Sequence, residues 1–220
     1  MPGWPPLQVA VTAAGQYNPR MHVPELHPNV PARGNAFSRS LGRTALAASG
    51  WRFEGTLPPL PKFVVIVAPH TSNWDFFVGV GALFSLGIKI SFLGKDAIFR
   101  GPLGPVMRWL GGIAVDRSVS RDRVAEMIDV FRSRDRLVVG ITPEGTRKRV
   151  KEWRTGFYHV AKGAGVPIAP VAFDYSRKTI VFFPPFEPTA DAKADIEYLK
   201  GLYRPEMAQR PEKFWVTAEG

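Results

Sequence analysis

The chain contains no cysteine, which excludes disulfides, thiolate metal sites and a thiol nucleophile. Four histidines leave little material for a multi-histidine metal site. Long apolar runs are also missing. The longest uncharged one, Phe76 to Ile88, falls short of the about 20 residues that a membrane-crossing helix requires. The opening MPGWPP has neither the basic start nor the apolar run of a secretory signal, so the expectation is a cytoplasmic protein, soluble or peripheral. Acidic residues are scarce: 19, against 29 lysines and arginines, leaving a net charge of +10. That surplus favours anionic partners: nucleic acid, acidic lipid headgroups or phosphorylated substrates. The basic residues surround a turn rather than tracking a helix, and no nucleic-acid module is recognisable, so nucleic acid is not expected as a partner.

What remains is a chain of 220 residues with 45% hydrophobic content, enough for one domain with a sizeable core. Residues 1–34 are proline-rich with little periodicity and read as a mobile leader; residues 35–220 read as the folded domain. NAFSRSLGRTALAASGW predicts a short helix with Phe37, Leu41, Thr44, Ala45 and Ala48 on one face and Arg39 and Arg43 elsewhere. Such a segment can lie on an anionic membrane. Its mostly alanine face favours packing on its own domain instead.

From Lys62 onward, strands and helices alternate. KFVVIVAP is a continuous β-branched run of the kind found in a buried strand. A helix is predicted from Trp74 to about Leu86, then a strand at KISFLG, a short helix at PLGPVMRWL and a strand at GIAVD. SRDRVAEMIDVFRSR places Val124, Met127, Ile128 and Phe131 on one helical stripe, with Ser120 as its cap. RLVVGIT, a helix at TGFYHVAKGAG, and strands at PIAPVAFDY and TIVFFPPF follow, before a polar helical region. The fold expected is a single α/β domain with a mixed, largely parallel β-sheet covered by helices on both faces. Such sheets carry functional groups at the carboxyl ends of their strands. His70, Asp116 with Arg117, and Glu144 all stand at such ends.

In APHTSNWDFF, His70 precedes Asp75 by five residues. One reading is structural: Thr71, Ser72 or Asn73 caps a helix, and Asp75 favours its positive end. The other is chemical: Asp75 accepts a hydrogen bond from one ring nitrogen of His70, which fixes the tautomer and leaves the other nitrogen to take a proton. ITPEGTRKR offers turn chemistry at Pro-Glu-Gly. Glu144, Gly145, Thr146 and Arg147 also suit an anion site, because glycine permits close backbone approach and a guanidinium grips phosphate in bidentate fashion. The run RKRVKEWR suits an anionic partner or an anionic bilayer, where Trp153 suits the interface; a solvated face is the alternative.

The order HTSNWD, GGIAVDR, TPEGTR, VPIAPVAF resembles the four consecutive blocks of the glycerolipid acyltransferase family, over about Gly50 to Phe186. The resemblance implies a glycerolipid acyltransferase fold and assigns His70 as general base and Asp75 as its orienting carboxylate. It implies that Arg117 helps bind the acceptor's phosphate, that Glu144, Gly145, Thr146 and Arg147 shape the acceptor site, and that Lys95 adds positive charge. Pro167 and Pro170 match the fourth block. Pro69, Thr142 and Lys148 depart from the family's usual residues, which leaves the acceptor open. The implied donor is acyl-CoA or acyl carrier protein, the acceptor a lysophospholipid such as 1-acylglycerol 3-phosphate, and the place of work an anionic membrane surface at the inner face. No metal or other cofactor is implied. Absence of cysteine excludes a thioester-linked acyl-enzyme, and direct transfer is expected. Phe76, Phe77, Val80, Leu83 and Phe84 either line an acyl groove or simply pack the core. A non-catalytic protein of the same fold that binds anionic lipid is the competing reading.

Overall fold

The computed structural model describes residues 23–115 and 122–215. Seven strands form one sheet in the order β1-β7-β6-β2-β5-β3-β4. They are β1 (Arg52–Glu54), β2 (Lys62–Val67), β3 (Ser91–Lys95), β4 (Gly112–Val115), β5 (Leu137–Ile141), β6 (Ile168–Asp174) and β7 (Thr179–Phe182). Every neighbouring pair is parallel except β6 with β7. The helices are α1 (Ala36–Ala48), α2 (Trp74–Leu86), α3 (Asp96–Arg100), α4 (Gly104–Trp109), α5 (Asp122–Arg132), α6 (Gly156–Ala164) and α7 (Ala192–Gly201). This is the mixed, largely parallel sheet in a single α/β domain that the alternation predicts.

The apolar runs become central strands because both faces are covered. Along β2, Val64 and Ile66 join one core with Phe131 of α5, Phe157 of α6 and Leu199 of α7. Phe63 and Val65 point the other way, joining Leu46 of α1 and Val78, Ala82 and Leu86 of α2. The period-2 alternation of strand side chains thus feeds two helical layers from one continuous run. A smaller cluster of Phe99, Met107 and Leu110 sits under Phe76, Val80 and Phe84.

The stripe expected to bury α1 is the one left in solvent. Phe37 is 76% exposed and Leu41 61%, while Gly42 and Leu46 face α2. The reason is close approach. A Cβ on Gly42 would lie 2.6 Å from the backbone nitrogen of Ser85, and one on Gly81 would lie 2.8 Å from Leu46. Gly42 and Gly81 let the two helices approach, and Leu46 packs into the contact in place of Phe37 and Leu41. Arg43 fixes it further by donating from Nε to the Ser85 carbonyl.

Part of the stretch expected as a leader lies against the domain. Val30 is buried with the α2 layer, Ala32 bridges Ile88, and the Arg33 guanidinium stacks over the Trp109 ring at 4.6 Å. Trp153, left by the sequence between an interface and a solvated face, is instead buried among Phe157, Tyr203 and Trp215. Flanking charge hid the aromatic contact that holds it. The expected cap Ser120 lies outside the described residues.

Candidate active site

Two parallel neighbours bring the first and third polar blocks together. Ile66 of β2 stands level with Ile141 of β5, so the segments following both strands leave the sheet at the same end. His70 comes four residues beyond Ile66 and Glu144 three beyond Ile141. They meet: the His70 main-chain N–H donates to both Glu144 oxygens, at 2.8 and 3.1 Å. On its other flank β2 pairs with β6, Val67 level with Val171, which delivers Tyr175 to the same end.

His70 Nδ1 lies 3.1 Å from Asp75 Oδ2. The same oxygen accepts from the main-chain N–H groups of Thr71 and Ser72, at 3.0 and 2.9 Å. Asp75 therefore both holds the turn into α2 and touches the imidazole. It also stands in the first turn of α2, where the helix dipole favours a carboxylate. Its second oxygen, Oδ1, accepts from the Tyr175 hydroxyl at 2.8 Å. Burial first, then the charge of Asp75, pushes the Tyr175 hydroxyl well above its usual range, which keeps it a proton donor. Ser72 Oγ accepts from Trp74 N at 3.2 Å, so this serine caps α2; Asn73 makes no capping bond.

Glu144, expected to contact the acceptor, is only 4% exposed and lies under the His70 backbone, outside the cavity wall. Desolvation by burial is the main reason its carboxyl is pushed up to about 8; the His70 N–H opposes the rise and the Asp75 charge adds to it. The turn that sends Glu144 inward closes with Gly145 N–H on the Thr142 carbonyl at 3.0 Å. Gly145 has φ +63, and an added Cβ would meet Arg154 Nε at 2.8 Å. The positive φ favours glycine there, and the Arg154 side chain packs close over it.

Thr146 and Arg147 emerge past this turn onto the wall of a cavity of about 800 Å³, which His70 and Asp75 also border. The rest of that wall is largely apolar. Of the residues left between groove and core, Phe76, Phe77, Val80 and Leu83 border the cavity, whereas Phe84 packs against Trp109 with ring centroids 5.9 Å apart. Ile98, Phe99, Leu103 and Met107 of α3, α4 and the turn between them close the far side. No periodicity flagged these, because the helices are too short to display one. Lys95 ends β3 and only its backbone is described; Asp116 and Arg117 lie outside the described residues. Among the described residues no cluster of histidines and carboxylates could hold a metal ion.

The acyltransferase family profile matches residues 54–174. The chain is 30% identical over 123 residues to the 1-acyl-sn-glycerol-3-phosphate acyltransferase of Escherichia coli strain K12, covering 53% of this chain and 49% of that one. It is 28% identical over 140 residues to the protein of the same name from Haemophilus influenzae, covering 60% and 57% respectively. The chain thus spans about half the length of the curated relatives it matches. Its fold is similar to that of the 1-acyl-sn-glycerophosphate (LPA) acyltransferase from Thermotoga maritima, with a TM-score of 0.56 and 18% identity over 76% of this chain and 75% of that one. The profile takes in more than half of the chain and includes His70, Asp75, Glu144 and Arg147, so the chain belongs to the acyltransferase family.

Proposed function

We propose that the protein transfers a fatty acyl chain from a thioester donor, acyl-CoA or acyl carrier protein, to the free hydroxyl of a lysophospholipid, 1-acylglycerol 3-phosphate first among them. The observation that carries this reading is a His–Asp pair bordering a largely apolar cavity whose wall also bears Thr146 and Arg147. One wall suits an acyl chain and the other an anionic head.

In this reading Nδ1 of His70 carries the proton that faces Asp75, and Nε2 is the base. Nε2 takes the proton from the acceptor hydroxyl as its oxygen attacks the thioester carbonyl carbon. The tetrahedral intermediate collapses, the carbon–sulfur bond breaks, and the imidazolium returns its proton to the departing sulfur. Thr146 and Arg147 hold the phosphate through hydrogen bonding and charge. Lys95 and Arg117 are proposed to add to that positive field, with Gly145 giving the head close access to the backbone. Glu144 serves the site from beneath, by fixing the His70 main chain.

The partner surface in this reading is an anionic bilayer at the inner face of the membrane. Among the described residues no helix is long and apolar enough to cross a membrane. The exposed apolar residues include Trp74 and Phe77 of α2, Ile98 of α3 and Leu103, Val106 and Trp109 near α4, with Phe77, Ile98 and Leu103 bordering the cavity itself; Phe37 and Leu41 of α1 and Tyr198 of α7 are exposed as well. Exposed apolar side chains beside the cavity, on a chain of net charge +10, suit a lipid surface with acidic headgroups.

The test is incubation of the purified protein with radiolabelled acyl-CoA or acyl carrier protein and a panel of lysolipids. Label in a diacyl product supports transfer, and label in free fatty acid alone points to hydrolysis. Vesicle binding with no labelled product would replace the enzyme reading with that of a lipid-binding protein.

A further inference from the structure

Asp75 has two carboxylate oxygens in an interior position, and they are used unequally. Oδ2 is shared by His70 Nδ1, Thr71 N and Ser72 N. Oδ1 has one recorded partner, the Tyr175 hydroxyl at 2.8 Å. The tyrosine is itself held from two sides. The Trp51 ring meets it edge-on at 4.9 Å, and its N–H donates to the Met207 carbonyl at 3.0 Å. Trp51 is buried. Tyr175 thus comes from the end of β6, a hundred residues beyond Asp75 in the chain, and is locked in place before it reaches the carboxylate.

From this arrangement we infer that Tyr175 is a positioning residue, whose hydroxyl holds the Asp75 carboxylate in the plane and rotation that present Oδ2 to His70. With its other donors all on Oδ2, the carboxylate can still pivot about that oxygen, which tilts its plane and weakens the Nδ1 contact. The Tyr175 bond to Oδ1 removes that freedom. Other titratable groups surround the pair. Glu144 lies under His70, Tyr203 lies close enough to Glu144 to feel its charge, and Arg147 borders the shared cavity. Arg210 donates only its main-chain N–H, to Thr71 Oγ1. Among the described residues, Tyr175 is the one with a recorded hydrogen bond to Asp75 Oδ1.

The direction of the effect follows. Without the hydroxyl the carboxylate tilts, the Nδ1 contact weakens and the protonated imidazole loses support, so the His70 midpoint falls. The acid limb of kcat/KM falls with it. The inference rests on the general-base reading for its catalytic consequence, but the midpoint can be read without activity.

The experiment compares the wild type with Tyr175→Phe, following the histidine ring protons by NMR across pH. The chain has only four histidines, and His70→Asn identifies the resonance. The expected result is a His70 midpoint lower by about half a pH unit, a plateau kcat lower by about tenfold, and an unchanged KM. The phenyl ring keeps the Trp51 contact. Trp51→Phe serves as the control for packing: it lowers the melting temperature but leaves the His70 midpoint in place. An unmoved midpoint in Tyr175→Phe overturns the inference, as does an equal movement in Trp51→Phe. A shifted midpoint in a protein that transfers no acyl chain would sink the functional reading and leave this one standing.

Discussion

The carboxyl of Glu144 grips the main chain of His70 rather than any side chain, with its two oxygens 2.8 and 3.1 Å from one N–H. A residue of the Pro-Glu-Gly turn thereby fixes the position of the imidazole 74 residues earlier.

That contact predicts a pH signature in stability. Burial holds the Glu144 carboxyl at about 8 in the fold, against an ordinary value of 4.5. Between those values the folded state holds a proton that the unfolded chain has released. The contribution is therefore complete below about 4.5 and is lost as the pH rises towards about 8, by at most about 1.4 kcal/mol per pH unit. Glu144→Gln removes the titration yet leaves an amide oxygen to accept from His70. Its melting temperature should vary less between pH 5 and pH 8 than that of the wild type, with activity largely retained. Parallel melting curves across that range would show that Glu144 is not the titrating group.

Gly42 should tolerate no side chain. A Cβ there meets the Ser85 nitrogen at 2.6 Å and the Phe84 Cβ at 2.7 Å, and backbone cannot swing aside as a flexible side chain can. Gly42→Val should destabilise the protein by about 1–3 kcal/mol through forced separation of α1 and α2. Urea unfolding measures this, and a midpoint equal to that of the wild type would place the helices farther apart than described.

The outward stripe of α1 leads to a prediction about membranes. Replacing Phe37 and Leu41 together by serine removes two large exposed apolar groups without touching the α2 contact. Sedimentation with vesicles containing acidic phospholipid should fall by about tenfold or more, because each such side chain contributes about 1.5–3 kcal/mol on full burial. The melting temperature should stay unchanged. Undiminished vesicle binding would move the docking surface elsewhere on the molecule.

Much of this architecture is legible from local pattern, and the exceptions share a cause. KFVVIVAP, RLVVGIT and PIAPVAFDY read as buried strands because both faces of a central parallel strand are apolar. The helix of Val124, Met127 and Phe131 reads from its stripe. β1 is three residues long and carries no periodicity to find. The buried face of α1 is not legible in this way, because ranking residues by hydrophobicity ignores a glycine, whereas the helix contact selects for the absence of a Cβ at Gly42. His70, Asp75 and Arg147 are legible through the order of motifs. Tyr175 is not, since it reads as one more strand residue until the pairing of β2 with β6 places it at the Asp75 carboxylate. Glu144 shows the same limit from the other side: its motif singles it out, but only the register of β2 on β5 shows that it serves His70 from within.

The central claim is that the His70 imidazole moves the proton in acyl transfer. The direct measurement is the initial rate of labelled acyl transfer to 1-acylglycerol 3-phosphate by His70→Ala, alongside a melting curve that verifies the fold. The account predicts a rate lower by about 100-fold to 10,000-fold with the melting temperature preserved. A correctly folded variant that turns over at close to the wild-type rate would contradict it.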